Sequence, residues 1–295
     1  MGENTKVEKT IMYIYKEVFS KFTNSNIDLF LCGGSSDKKL SYRDQLRHKL
    51  EEKKHVSVLY PEDMFMEMLS RKKYDLLTLE RFLANNSDYI LIVCESPGSF
   101  AELGAFVNNN ETFEKVIVLL HKKYKNAKSF IRQGPVELVK SKDKNRVIFY
   151  NNENLEETIS YIRKAIGFRY RFLSKTDLSI KDLDLISGQY NFILMLLYFY
   201  NRIEIRTLIN NLKKIYIENG FADDKFEVVY SSAIRRLFKD SLITKEQISD
   251  GVFCYKLTDK GYFSSKDLLS NVSIKYRTYK YDSIRMRIMY DSLND

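Results

Sequence analysis

The stretch of this chain best equipped for chemistry is ESPGSFAELG (Glu95–Gly104), which follows the apolar run YILIVC (Tyr89–Cys94). Two carboxylates, two hydroxyls and two glycines at the end of a buried run suit a loop that holds a sugar or phosphate against a carboxylate. In that reading Glu102 is the nucleophile or charge stabiliser, and Ser96, Gly98 and Ser99 line the approach. An ordinary reading stands beside it: Pro97-Gly98-Ser99 is a tight turn, Ser99 caps a helix, and Glu102 closes an S-x-x-E capping box. Two more loops have a similar make-up, CGGSSD (Cys32–Asp37) and YPED (Tyr60–Asp63). Gly33 and Gly34 allow backbone N–H groups close to a ligand, and Ser35 adds a hydroxyl. Tyr60, Glu62 and Asp63 bring a phenol and two carboxylates to the second of these loops. GGSS has neither the GxGxxG spacing nor a Walker lysine, so it names no cofactor by itself.

What must position these loops is a set of short apolar runs alternating with amphipathic stretches. The runs are Ile27–Cys32, Val56–Tyr60, Tyr89–Cys94, Lys115–His121 and Arg146–Tyr150. Continuous rather than alternating apolar character marks strands covered on both faces. The alternation predicts an α/β domain with a doubly wound five-stranded parallel sheet over residues 23–165, preceded by a helix over 1–22. In such sheets ligands bind outside the carboxyl ends of the strands, and all three loops leave those ends. Tyr42 and Arg43 follow the first loop closely enough to touch a phosphate, although an ordinary helix start explains them equally.

Beyond a helical connector over 166–187 the rhythm changes. Residues 188–295 show three helical stretches, a hairpin turning at Ser249-Asp250-Gly251 with Gly261 ending its second strand, and a basic tail. This order, with RRLFKDSLIT and YKLTDKGYF, resembles a winged helix-turn-helix, an α+β fold whose third helix often enters the DNA major groove. Arg235, Arg236 and Lys239 would then face nucleic acid; contact with a protein is the other use of such a domain. In the tail, Lys275, Arg277 and Lys280 alternate with tyrosines, a mixture suited to phosphate contact and base stacking, or to an amphipathic terminal helix.

Bulk properties fix the setting. The 295 residues carry a net charge of +9, divided almost evenly between the halves, and 44% are hydrophobic. The sign favours an anionic partner, and the hydrophobic content supports a real core. Cys32, Cys94 and Cys254 are odd in number and far apart, which argues against a disulfide framework or a zinc site. His48, His55 and His121 match no ligand spacing. No leader-like N-terminus and no apolar run of membrane-spanning length occurs, so a cytoplasmic protein without a membrane partner is expected.

CGGSSD, YPEDMF, SDYILIV and ESPGSFAELGAF together resemble the nucleoside 2-deoxyribosyltransferase-like fold. The likeness is closer still to the effector proteins of bacterial retrons, which place that domain ahead of a winged helix. SFIRQGPVELV (Ser129–Val139) continues the match, which covers most of residues 25–140. The resemblance implies cleavage of an N-glycosidic bond, with Glu102 as the attacking carboxylate and Glu95 or Asp88 as the second one. It places Asn108, with Asn109, near base or ribose, and has Tyr60, Glu62 and Asp63 bind ribose hydroxyls or hold their loop closed. It also implies a toxin that hydrolyses NAD or another nucleotide as substrate, needing no cofactor and no metal. Its partners would be a reverse transcriptase and that enzyme's multicopy single-stranded DNA-RNA, and it leaves room for a higher-order assembly. ESPGS replaces the Asp-bearing loop of the transferases, and the basic second domain is foreign to a salvage enzyme. A transferase or hydrolase on free nucleosides, and a DNA-binding regulator that senses a nucleotide, are the alternatives.

Overall fold

The computed structural model describes residues 3–23, 26–34, 41–52, 55–70, 75–172 and 181–293. The chain forms two units, Ser25–Asp177 and a second that joins Met1–Asn24 to Leu178–Asp295. The first helix, α1 (Glu3–Glu17), therefore belongs with the C-terminal half.

In the unit 25–177 the elements follow as β1 (Ile27–Cys32), α2 (Tyr42–Glu51), β2 (Val56–Leu59), α3 (Pro61–Ser70), α4 (Leu76–Asn85), β3 (Tyr89–Cys94), α5 (Pro97–Val107), α6 (Asn110–Phe113), β4 (Val116–His121), α7 (Phe130–Gln133), α8 (Pro135–Lys142), β5 (Val147–Tyr150) and α9 (Leu155–Phe172). The five strands run parallel in the order β2-β1-β3-β4-β5. Leu29, Leu31, Leu91, Val93, Ile117 and Leu119 meet α2 and α9 on one face, through Leu46, Leu50, Ile159 and Ile162. On the other face Phe106 of α5 lies edge-on to Phe30 at 5.9 Å, and α8 packs on β4 and β5. Helices on both sides explain why the strand sequences are apolar throughout.

Helix starts here are set by side-chain caps. Ser41 and Asp44 form a reciprocal capping box at α2, and the Asp75 carboxylate accepts the Thr78 N–H at α4. YPED is not a free loop: Pro61 opens α3, with Glu62 and Asp63 in its first turn, because proline is preorganised for the first helical position.

The second unit continues with α10 (Ile186–Tyr200), β6 (Arg202–Glu204), α11 (Ile205–Glu218), α12 (Asp223–Lys239), β7 (Ile243–Ser249), β8 (Val252–Leu257), α13 (Asp259–Ser270) and α14 (Arg277–Leu293). The strands form an antiparallel sheet in the order β6-β8-β7. α10 is buried along nearly its whole length and carries the core. Gly261 does not end the returning strand but sits inside α13, where a Cβ would meet the Leu242 carbonyl oxygen at 1.9 Å. Among the described residues no helix is long and apolar enough to cross a membrane.

Candidate active site at the switch point of the sheet

The strand order reverses between β1 and β3, since β2 lies on one side of β1 and β3 on the other. Crossovers leave in opposite directions there and open a crevice at the carboxyl ends of both strands. Glu102 lies beside it. Leu103, Phe106 and Val107 anchor α5 on the sheet. Burial, and after it the Glu102 carboxylate, raises the thiols of Cys32 and Cys94, the last residues of β1 and β3.

The cap of this helix differs from the sequence expectation. Ser96, not Ser99, is the N-cap, and Ser99 closes the box as the third helical residue. Ser96 Oγ accepts the Ser99 N–H at 3.2 Å, while Ser99 Oγ accepts N–H bonds from Glu95 and Ser96, each at 3.1 Å. Pro97-Gly98-Ser99 is thus the first helical turn, and Ser99 is fully buried. Gly98 stands exposed on that turn. Glu102 is left without a capping duty. Its Oε2 is buried and has no hydrogen-bond partner among the described residues.

Glu80 of α4 completes an acidic pair that the sequence did not announce. Burial, then the charge of Glu80, raises the Glu102 carboxyl to about 7. Burial, then the charge of Glu62, raises Glu80 to about 7 as well. Two desolvated carboxylates that feel one another cannot both ionise cheaply, so protons stay on the pair near neutrality. Arg43 opposes this and lowers both.

Arg43 is nearly fully buried at the start of α2. Burial disfavours its cation, but Glu62 outweighs that and holds the guanidinium protonated. Its Nη2 donates to Glu62 Oε1 at 2.6 Å. The guanidinium carbons of Arg43 and Arg47 each lie 4.2 Å from the centre of the Tyr60 ring. Tyr60 donates its hydroxyl to Asp44 Oδ1 at 2.5 Å, and Arg47 Nη2 pairs with Asp63 Oδ2 at 2.5 Å. Tyr60, Glu62 and Asp63 therefore clasp α3 to α2 and fix the guanidinium under the crevice. Gly33 leaves room for it, because a Cβ there would come within 2.8 Å of Arg43 Cδ.

Glu95 stands at the rim beside Gly34, where an added Cβ would touch its Cγ at 3.3 Å. Burial of its inner side raises its carboxyl, although backbone N–H groups of Arg43, Gly34 and Tyr42 and the Arg43 charge pull the other way. The parallel register aligns Cys94 with Leu120 and His121 with Tyr150, so Glu95, His121 and Tyr150 succeed one another along the carboxyl edge. Tyr150 stacks on Tyr42 at 4.3 Å, and His121 meets it edge-on at 5.4 Å. His121 Nδ1 accepts the Lys123 N–H, which places the ring proton of the neutral imidazole on Nε2.

Not every expected residue joins this group. Asp88 lies at the opposite, amino edge of the sheet, where its Oδ2 accepts the Asp28 N–H at 2.7 Å. Asn108 is the C-cap of α5, nearly two turns beyond Glu102, and Asn109 caps α6 through the Glu111 N–H. Ser35 falls outside the described residues. Among the described residues no three His, Cys, Asp or Glu side chains form a metal site.

In the second unit, Arg235, Arg236 and Lys239 lie on α12. Arg236 stacks over Tyr190 at 4.7 Å and pairs with Asp240 at 3.8 Å, so it braces its own fold. Lys280 is bound to Glu17 at 2.5 Å, and Arg277 donates to the Val272 carbonyl at 3.0 Å. Lys275 is exposed just before α14.

The chain matches the family model described as STM3845 retron effector protein over residues 39–249. In a match 292 residues long that covers 96% of this chain and 90% of the relative, it is 30% identical to an Escherichia coli protein named "Retron Ec86 putative ribosyltransferase/DNA-binding protein". It is 34% identical over 112 residues to the E. coli "Retron Ec73 putative ribosyltransferase/DNA-binding protein", covering 36% of this chain and 35% of that one.

Proposed function

The chain belongs to the retron effector family, and from that membership we propose that it is the toxic effector of a retron defence system. It cleaves the N-glycosidic bond of a nucleotide, NAD first among the substrates, under control of a reverse transcriptase and its multicopy single-stranded DNA. The observation that carries this reading is the orphaned, desolvated carboxylate of Glu102 at the switch point of the sheet. The relatives' names, which pair a ribosyltransferase with DNA binding, support it.

The chemistry follows from the side chains. The ribosyl carbon of NAD is bonded to a pyridinium nitrogen, and when that bond breaks its electron pair leaves with neutral nicotinamide. No proton has to be delivered to the leaving group. Ionised Glu102 stabilises the oxocarbenium-like sugar or forms an ester with the anomeric carbon. Water then attacks that carbon and releases Glu102, its proton passing to the rim carboxylate of Glu95. Arg43, held by Glu62, favours the charged form of Glu102 and is placed to attract a phosphate.

A second reading has one observation in its favour. A neutral purine or pyrimidine leaves well only when protonated, and Glu80 keeps a proton near pH 7. Cleavage of free nucleosides would use that proton.

In the second unit, the order α10–β6–α11–α12 followed by the β7–β8 hairpin supports the winged-helix reading, with Arg235 and Lys239 on the helix that would meet DNA. The test is incubation of the purified chain with NAD, ATP and deoxynucleosides, alone and with the reverse transcriptase and its DNA, beside Glu102→Gln. Release of nicotinamide by the parent and not by the variant is expected. Release of adenine or a pyrimidine instead selects the second reading. Tight nucleotide binding without any product, even with the partners present, would make the chain a sensor rather than an enzyme.

A further inference from the structure

The C-terminal helix has two apolar faces. Tyr281 and Ile284 point inward and are buried. On the outside, Tyr279, Ser283, Met286 and Tyr290 recur at intervals of four, three and four residues, the spacing of a coiled-coil seam. Tyr279 is 77% exposed, Met286 66% and Tyr290 68%. Tyr276, just before the helix, is 83% exposed and is held at a φ of +53°, a left-handed conformation costly for a bulky residue.

The flank of α14 nearer its buried side is tied instead to α10 and α13. Arg285 lies 5.3 Å over Tyr198, Tyr198 stacks on Tyr262 at 5.5 Å, and Tyr262 meets Phe263 at 5.9 Å. Phe263 is itself 67% exposed.

Within α14 the cations are engaged by neighbouring side chains, while Lys275, ahead of the helix, stands exposed beside Tyr276. Lys280 is taken by Glu17, Arg285 by Asp282 and Tyr198, and Arg287 lies over Tyr13 at 4.5 Å. A nucleic-acid surface needs cations facing the same way as its rings. This face is aromatic and thioether instead, the composition enriched in protein interfaces.

We propose that the outer face of α14, with Tyr276 just ahead of it, is the surface through which two copies of this chain pair. The seam is close to self-complementary about Ser283. Tyr279 and Met286 lie about one turn away on either side, with Tyr276 and Tyr290 two turns away, so a two-fold axis at the small serine sets tyrosine against tyrosine and permits close approach. Aromatic side chains bury roughly 150–250 Å² each. The three rings of Tyr276, Tyr279 and Tyr290, exposed to about this degree, with Met286 thus offer on the order of 600 Å², at the lower end of the roughly 600–1,000 Å² per partner of a stable interface.

Sedimentation of the full chain over a range of concentrations tests this. A species of twice the 34.9 kDa chain mass is expected. Met286→Glu and Tyr290→Glu, made separately, should each weaken association at least tenfold, while the exposed control Leu138→Glu in the other unit leaves it unchanged. Circular dichroism and the melting transition check that each variant is folded. A chain that stays monomeric at every concentration overturns the proposal, as does a dimer indifferent to both folded variants. Monomers whose binding to an oligonucleotide falls with Tyr279→Ala would assign the face to nucleic acid and overturn it equally.

Discussion

Glu102 and Glu80 act as a pair, and their consequences are readable in pH. An ordinary glutamate releases its proton near 4.5, whereas both of these hold theirs to about 7. A group whose value is raised by folding stabilises the fold fully below its unfolded value, and that contribution disappears as pH climbs through the folded one. The unit 25–177 should therefore lose stability between about pH 4.5 and 7. Glu80→Gln should remove on the order of 1 kcal/mol of that loss, once solvent screening of a partly exposed group is allowed for. Thermal melts at pH 4.5 and pH 8 test it: the variant should gain at pH 8 and not at pH 4.5. The same substitution deletes a negative neighbour of Glu102, so the acidic limb of turnover should shift to lower pH whatever happens to its maximum. Glu102→Gln should lower turnover by at least 10³-fold, since an amide can neither attack nor carry the charge, while melting above pH 7 is retained or improved. Glu102 was legible because ELG follows a strand end and resembles a known motif. Glu80 was not, because its place between Leu79 and Leu83 reads as the polar side of an amphipathic helix, and only the crossover brings it to Glu102.

At the scale of elements, the cap of α5 decides where Glu102 points. With Ser96 as N-cap the helix starts at Pro97, three residues earlier than a cap at Ser99 would allow. Pro97 after Ser96 suits a first helical position and Phe100-Ala101-Glu102 after Ser99 suit a helix, so the sequence leaves either start open, and the fully buried Ser99 with its two N–H bonds settles it. Ser96→Ala should cost about 1 kcal/mol of stability. It should also lower kcat more than nucleotide binding, because the helix that carries Glu102 frays while the clasp around Arg43 stays intact. Gly261 teaches a related lesson. A glycine after a strand reads as a terminator, yet here it lets α13 approach the Leu242 carbonyl closely. Gly261→Ala should destabilise the C-terminal unit by about 1–3 kcal/mol through overpacking, measured as a shift in its denaturant midpoint with an unchanged slope. The parallel strands were legible to within a residue or two, because short, continuous apolar runs between amphipathic stretches fit strands covered on both faces and little else. Helix ends were not, because caps are decided by contacts three residues away.

For the whole molecule the least legible feature is that residues 1–24 belong with residues 178–295. Nothing local in the first helix announces its partners: Ile11, Ile14 and Val18 mark an apolar stripe, and any hydrophobic surface would satisfy it. The structure supplies partners from the far end of the chain. Thr10 donates to Asp291, Tyr15 to Asp182, and Glu17 receives Lys280; Phe19 packs on Phe192 at 5.0 Å. That unit is therefore completed by residues 1–24, which the whole unit 25–177 separates in sequence from their partners. Ile14→Ala, which removes a fully buried side chain, should cost about 2–5 kcal/mol and act on that unit alone, because effects at distant sites with no shared partners add independently. Scanning calorimetry of the full chain with and without a bound nucleotide separates the units. Ligand should raise the transition of residues 25–177 by mass action, and Ile14→Ala should lower the other while leaving the ligand-induced rise intact. If both transitions fell together, the two units would unfold as one cooperative body and the first helix would stabilise the unit 25–177 as well. Independent transitions would mean that a lesion in the N-terminal helix leaves the unit holding Glu102 intact, so that, in the proposed reading, catalysis and its control can be lost separately.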